Sequence, residues 1–358
     1  MKKELRALGF SSPKAIDGGV TLTGTEDDVA RLNVFLSCAD RVYLKLTSFH
    51  ATTFDELFDG VSAFPFGDLL PFNAKIIVNG KSKQSALFAL SSCQSIIKKA
   101  IVTTLSRRYK RKLLPENGEA YRFEFSLVRD ECTLYLNTSG DGLHKRGWRD
   151  LVWEAPIKET LASALLSFSD FTPETPFCDP FCGSGTIAIE AARKALGIAP
   201  GRDRTFDFVK WDFFPEESYK HALQEAKDNE KVRQNIEIHA SDVNKKAIDL
   251  ARHHAQNAGV ADKIRFSVLD ATTLTLPLSG GTIVTNPPYG ERLLDQKDVR
   301  ALYAAFAGAY RALDHWSLYL ITAYRDFEKA FGIHADKKRK LYNSGIECCL
   351  YSYFRTRP

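Results

Sequence analysis

The sequence predicts an α/β protein: a doubly wound, parallel sheet in the C-terminal half, preceded by two smaller α+β units. Three observations predict it. From residue 152 onward short apolar runs alternate with stretches of helical period, the pattern of strands joined by crossover helices. A glycine-rich turn, Asp179-Pro180-Phe181-Cys182-Gly183-Ser184-Gly185-Thr186, lies between one such run and an alanine-rich helix. Residues 1–151 read instead as two blocks of mixed helix and strand.

In the first block the pattern predicts a short strand at Val20–Thr23, an amphipathic helix at Glu26–Cys38 and an alternating strand at Arg41–Leu46. The second block gives helices at Thr53–Phe58 and Ser92–Leu105, with strands at Ala74–Val78, Tyr121–Val128 and Glu131–Asn137. The C-terminal alternation begins with a helix at Pro156–Leu166, strand Phe177–Asp179 and helix Thr186–Ala195. Strand Ile236–His239, helix Lys245–Ala258 and strands Ile264–Val268 and Thr282–Thr285 follow. Helix Asp298–Leu313 and strands Ser317–Thr322 and Ile346–Tyr353 complete it. The expected boundaries are 1–48, 49–151 and 152–358.

With 44% hydrophobic and 26% charged residues in 358, the composition is that of a globular protein, not of a fibre or a disordered chain. No apolar run reaches the roughly 18 residues of a membrane span, and MKKELRALGF lacks a signal core, so a cytoplasmic location is expected. Seven cysteines without a CxxC pair predict neither disulfides nor a metal centre. The net charge of +5 is compatible with a polyanionic partner. Two basic runs, 107–112 and 337–340, each able to neutralise several phosphates, also fit solvated helix ends.

The glycine turn is where chemistry begins. Gly183 and Gly185 remove side chains where the chain turns sharply and a cofactor approaches the backbone. Asp179, Asp242 and Asp270 each close a predicted strand, and in a doubly wound sheet ligands bind at those ends. Asp242 is placed to accept the hydroxyls of a ribose, although an aspartate there also serves as a turn or N-cap residue. Between Gly185 and Asp242 the spacing exceeds the roughly 20 residues of a simple nucleotide-binding unit. Residues 197–235, rich in aromatic and charged side chains, are therefore read as an insertion, expected to form an extra helix beside the site.

Asn286-Pro287-Pro288-Tyr289 follows the next strand and precedes Gly290-Glu291-Arg292. An exocyclic ring amine is a poor nucleophile because its lone pair is delocalised, so a site that uses it must accept hydrogen bonds from its N–H groups. Asn286 Oδ1 and the Pro287 carbonyl are suited to that, and the prolines fix the turn. Tyr289 offers a face for a stacked base. With the glycine turn, this motif points to transfer of a methyl group from a sulfonium donor, S-adenosylmethionine, without need of a metal. His253 and His254, on a helix without partners at metal-ligand spacing, are expected to face solvent. The segment His144–Arg149 fits either a phosphate or cofactor contact or a basic hinge.

Beyond these motifs the chain resembles the THUMP-domain RNA guanine-N2 methyltransferases of the RlmL/YpsC-like group. The resemblance lies in Ala51–Phe58, Cys93–Ile101 and Thr138–Gly147, and in Asp179–Thr186, Asn286–Arg292 and Asp336–Asn343. It implies a ferredoxin-like module, then an α+β THUMP domain that holds structured RNA, then a Rossmann-like methyltransferase domain. Asp179, Pro180, Gly183, Ser184, Gly185, Thr186, Asp242, Asp270 and Asn286 would bind S-adenosylmethionine, with Asn286, Pro287, Pro288 and Tyr289 at the reacting base. The implied target is guanine N2, in 23S rRNA first and tRNA as the alternative. A single modification is expected, because the large enzyme of this group carries a second methyltransferase domain. The Asn-Pro-Pro-Tyr motif also serves adenine-N6 and glutamine methylation, and a non-catalytic RNA-binding factor is the competing class.

Overall fold

A computed structural model describes residues 1–151, 156–232, 235–276, 280–289 and 296–354. The first block holds α1 (Lys2–Ala7), an antiparallel hairpin of β1 (Lys14–Ile16) and β2 (Gly19–Thr21), and α2 (Glu26–Phe35). A capping box starts α2: the Thr25 side chain accepts from the Asp28 N–H, and Asp28 accepts from the Thr25 N–H.

Next come β3 (Tyr43–His50), α3 (Phe54–Ser62), β4 (Lys75–Lys83), α4 (Leu90–Tyr109), β5 (Ala120–Val128) and β6 (Glu131–Asn137). They form a four-stranded sheet in the order β3-β6-β5-β4, with only the β4–β5 pair parallel. Strand β3 runs through the expected boundary at 48/49 and pairs with β6, so the strand read at 41–46 belongs to this sheet. Alternation along β5 is regular: Tyr121, Phe123, Phe125 and Leu127 are buried and their neighbours are not.

The C-terminal half carries α5 (Glu159–Phe168), β7 (Phe177–Asp179), α6 (Thr186–Ala195), α7 (Glu216–Asp228), β8 (Ile238–Asp242) and α8 (Lys245–Asn257). It continues through β9 (Ile264–Val268), β10 (Gly281–Thr285), α9 (Gln296–Arg311), β11 (Trp316–Thr322), α10 (Phe327–Phe331), β12 (Lys337–Asn343) and β13 (Ile346–Tyr353). The seven strands lie in the order β12-β13-β11-β10-β7-β8-β9, with β13 antiparallel to both its neighbours and the rest parallel. The chain moves outward from β7 to β8 and β9 on one side, then returns to β10 and β11 on the other. The reversal opens a crevice at the carboxyl ends of β7 and β10, where ligands bind in such sheets.

Both faces of the central strands β7, β10 and β11 are buried, which explains their near-continuous apolar sequences. Phe177, Val284, Tyr319 and Ile321 pack with α5, α6 and α8, whereas Cys178, Ile283, Leu318 and Leu320 pack with α9 and α10. Among the described residues no helix is long and apolar enough to cross a membrane.

Two expectations change here. The basic run 337–340 is not a helix end but most of the edge strand β12, whose first four residues are exposed. Lysines on an outer strand also discourage sheet-to-sheet association. The other run, 107–112, does close a helix, with Lys110 in the left-handed conformation at φ 52°. The insertion, secondly, does not lie beside the crevice. Phe206, Phe208, Trp211 and Phe214 join the core of the N-terminal half, with Trp211 stacked on Tyr121 at 5.2 Å. Ion pairs Arg31–Glu225 and Arg122–Asp207 fasten it there.

Candidate functional site

The crevice holds a cavity of about 1110 Å³, larger than the roughly 300–1,000 Å³ of a single drug-sized ligand site. Its floor is the glycine turn. Gly183 has φ +51° and a Cβ there would meet nothing within 4 Å, so the turn keeps open space on the cavity side. Gly185 has φ +86° and serves another purpose: a Cβ would lie 3.0 Å from that of Ala251, so its absence lets α8 pack against the start of α6. The Gly183 N–H donates to Asp242 Oδ2 at 3.0 Å and the Asn244 N–H to Oδ1 at 2.9 Å, so backbone groups fix the carboxylate at the end of β8. Asn244 in turn caps α8 through the Lys246 N–H.

Asp179 ends β7 and is 1% exposed. Its Oδ1 accepts from Thr285 Oγ1 at 2.7 Å and from the Phe181 N–H, which links the ends of β7 and β10. Its Oδ2 is buried without a partner among the described residues. Burial pushes this carboxyl up to about 7, far above its ordinary 3.8.

The Asn-Pro-Pro-Tyr turn is held from behind. Tyr303 Oη donates to the Pro288 carbonyl at 3.0 Å and contacts Thr322 Oγ1 at 2.8 Å. Asn343 Nδ2 donates to Tyr289 Oη at 3.1 Å, and burial raises the phenol to about 12, keeping it neutral. Asn286 Oδ1 is buried with no hydrogen-bond partner among the described residues. An unpaired buried acceptor costs free energy, roughly 1–3 kcal/mol, so the fold carries Asn286 Oδ1 and Asp179 Oδ2 at a loss that a ligand donor would recover.

The structure thus brings Asp179, Gly183, Ser184, Thr186 and Asp242 to one cavity wall with Asn286, Pro287, Pro288 and Tyr289. It does not bring Asp270, whose exposed carboxylate instead caps a short turn through the Thr272 N–H and hydroxyl, both at 2.8 Å. Pro180 and Gly185 are buried behind the wall. Gly290, Glu291 and Arg292 lie outside the described residues.

His254, expected to face solvent, is fully buried, and its Nδ1–H donates to the Ser184 carbonyl at 3.2 Å, tying α8 to the glycine turn. Burial lowers its pKa. It continues the buried stripe Ala247, Ile248, Ala251, Ala255, a helical spacing that was there to read. His253 is half-exposed and pairs with Asp150 at 2.8 Å. The segment 144–149 contributes to the cavity wall. Arg146 and Trp148 are buried, with Arg146 donating to the carbonyls of Leu143 and Ser37, while Arg149 borders the cavity.

Among the wall residues that sequence reasoning missed, three come from two strand ends. Val243 follows the β8 carboxylate and is 71% exposed, an apolar surface open to a flat ligand. Asn343 and Ser344 come from the β12–β13 hairpin, whose turn has positive φ at Ser344 and Gly345. Asn-Ser-Gly before an apolar run was the signal for that hairpin.

The model of the RMKL-like methyltransferase domain matches residues 146–352. The chain belongs to this family. Models of the RlmL ferredoxin-like domain and the THUMP domain match residues 1–43 and 51–137. This RMKL-like chain is 41% identical to YpsC of Bacillus subtilis (strain 168), provisionally named an RNA methyltransferase, over 99% of this chain and 93% of the relative. It is 34% identical to the ribosomal RNA large subunit methyltransferase K/L of Psychromonas ingrahamii, over 99% of this chain and 48% of that longer protein. Among solved structures, SMU.472, provisionally a methyltransferase and complexed with S-adenosylhomocysteine, aligns with a TM-score of 0.93 at 38% identity, over 99% and 94% of the two chains. A Listeria monocytogenes protein, provisionally an N6-adenine-specific DNA methylase, aligns with a TM-score of 0.93 at 43% identity, over 99% and 92% of the two chains.

The residues present fit S-adenosylmethionine, the methyl donor of this family. Open space stands over Gly183, a backbone-held carboxylate lies at the end of β8, and two buried acceptors lack donors.

Proposed function

We propose that the chain is an S-adenosylmethionine-dependent RNA methyltransferase that methylates the exocyclic N2 of a guanine, with 23S rRNA as the substrate. The observation that carries the reading is the unpaired, buried Oδ1 of Asn286 at a rigid turn beside the cavity. An exocyclic amine attacks best when its N–H groups are held by acceptors, and a fixed amide oxygen does this with no reorganisation.

Asp242 holds the donor's ribose hydroxyls, and Val243 offers the apolar surface for its adenine. Once bound, the donor supplies an electrophilic methyl group on a sulfonium. Asn286 orients the amine, with the Pro287 carbonyl beside it as the second acceptor. Tyr289, neutral and pinned by Asn343, presents its ring to the base. Asp179, Ser184 and Thr186 frame the donor's other end.

The division of labour we propose falls at 151/152: residues 1–151 grip the RNA through the THUMP domain and the first module, and residues 152–358 carry the chemistry. Fastening of the insertion to the N-terminal core supports a fixed distance between the two. The Psychromonas relative's name supports ribosomal RNA, and the Listeria neighbour's provisional name favours adenine N6 as the second reading.

Incubation with methyl-labelled S-adenosylmethionine and separate unmodified 23S rRNA and tRNA pools, followed by digestion to nucleosides, tests the assignment. Labelled N2-methylguanosine from 23S rRNA is expected. The same nucleoside from tRNA moves the substrate, N6-methyladenosine replaces the base, and no label in either pool overturns the RNA reading.

A further inference from the structure

We infer that Asn343 sets the base specificity of the site, its side-chain oxygen accepting from the N1–H of a guanine whose N2 amine lies at Asn286. The inference rests on the reading of the crevice as a site that presents an exocyclic amine to the Asn-Pro-Pro-Tyr turn. It names the group that separates guanine from the other amines this turn could serve.

Asn343 is the last residue of β12 and pairs with Ile346 across the hairpin, whose two turn residues, Ser344 and Gly345, have φ of 49° and 89°. Two positive angles in succession make the tight turn that matches the strand twist, so the backbone holds Asn343 in place. Its side chain is 8% exposed and borders the cavity together with Asn286, Pro287 and Tyr289. Tyr289 Oη decides which way the amide faces. It accepts from Asn343 Nδ2 at 3.1 Å and from Cys348 Sγ at 3.7 Å, so the amide nitrogen is taken up at the tyrosine. Asn343 Oδ1 is left buried with no hydrogen-bond partner among the described residues. An unpaired buried amide oxygen is a cost to the fold that a ligand donor recovers.

The wall thus offers three acceptors near one tyrosine ring: Asn286 Oδ1, the Pro287 carbonyl and Asn343 Oδ1. What can fill them depends on the atom next to the amine. Guanine carries N1–H directly beside its N2 amine and so presents three N–H groups in a row. Adenine has a bare N1 beside its N6 amine, cytosine a bare N3 beside N4, and a glutamine side chain a carbonyl oxygen. Each of these turns a lone pair toward the third acceptor, and a buried polar group left facing a lone pair rejects a ligand strongly. The Asn-Pro-Pro-Tyr turn by itself accepts any of these amines, and Asn343 selects among them.

The test locates the labelled guanosine in the RNA and replaces it, at that one position, with 2-aminopurine riboside, a base that keeps the C2 amine but has no hydrogen on N1. For the wild type, kcat/KM is expected to be about 100-fold or more higher with guanine. Asn343→Ala should slow transfer to guanine and shrink that preference by about tenfold or more. A merely loosened hairpin slows both bases alike and leaves the ratio where it was. Asn343→Asp keeps an acceptor and should keep the preference; if Asn343→Ala does not fold, loss of the preference in folded Asn343→Asp contradicts the assignment. A wild-type preference below about threefold, or one that Asn343→Ala leaves unchanged while N2-methylguanosine still forms, overturns the role of Asn343 alone. Label found only as N6-methyladenosine, or no label at all, brings down the guanine reading itself and this inference with it.

Discussion

Between residues 199 and 230 the insertion buries Phe206, Phe208 and Trp211 and pairs its charges: Arg31 with Glu225, Arg122 with Asp207, Arg202 with Asp203 and Glu230. None of its described side chains leaves a buried polar atom without a partner. At the carboxyl ends of β7, β8 and β10 the opposite holds, with Asp179 Oδ2, Ser241 Oγ and Asn286 Oδ1 all buried and unpaired among the described residues. Both regions are well packed, so packing does not separate them. What separates them is polar satisfaction: the insertion is finished as it stands, and the crevice is finished only by something that brings donors.

If that contrast is right, damage to the insertion affects stability and damage to the crevice affects binding and rate. The largest effect is expected from Trp211→Ala, which removes a side chain 2% exposed and its stack on Tyr121. The unfolding free energy should fall by about 3–5 kcal/mol, read from the urea midpoint, with donor affinity of the folded protein unchanged. A variant that kept its stability but lost donor affinity would place the insertion at the site and break the contrast.

Asp242→Ala comes next. Losing a charged acceptor should weaken S-adenosylhomocysteine by about 1.5–3 kcal/mol, measured by calorimetry, with little change in the urea midpoint. Its carboxylate is bonded to the Gly183 and Asn244 N–H groups, so a large stability loss without loss of affinity would make it a structural brace.

The smallest effect per step is a pH dependence, read one pH unit at a time. Asp179, raised by burial from 3.8 to about 7, holds more protons folded than unfolded between those values. Stability of the free protein should therefore fall as pH rises from about 4 to 7, by at most about 1.4 kcal/mol per unit. Affinity for a ligand whose ammonium faces Asp179 should rise over the same interval, by up to about tenfold per unit. Titrations at pH 5, 6 and 7 read both, and parallel rather than opposite trends would remove Asp179 from the ligand's contacts.

The sequence reading was sharpest where local chemistry sets the structure. Phe177–Asp179, Thr186–Ala195 and Ile264–Val268 appear with the expected bounds because apolar runs there are closed by an acid, a glycine or a helix start. The site's wall was legible for the same reason, since the glycine turn and the Asn-Pro-Pro-Tyr turn need particular residues at particular positions. Failures came where distance decides. Phe206 and Trp211 announce a core without saying which one, and only the fold shows that it is the N-terminal one. The charge of Lys337–Lys340 hid an edge strand, and the short hairpin of β1 and β2 has no buried face to give it a period. Asp270 carries the same strand-end signal as Asp242 and only caps a turn.

The most direct measurement is the single-turnover rate of methyl transfer to 23S rRNA by Asn286→Ala, beside its dissociation constant for S-adenosylhomocysteine. If the unpaired amide oxygen orients the amine, the rate falls by about 100-fold or more while the dissociation constant stays within about threefold of wild type. Transfer at the wild-type rate with the amide removed would contradict the account.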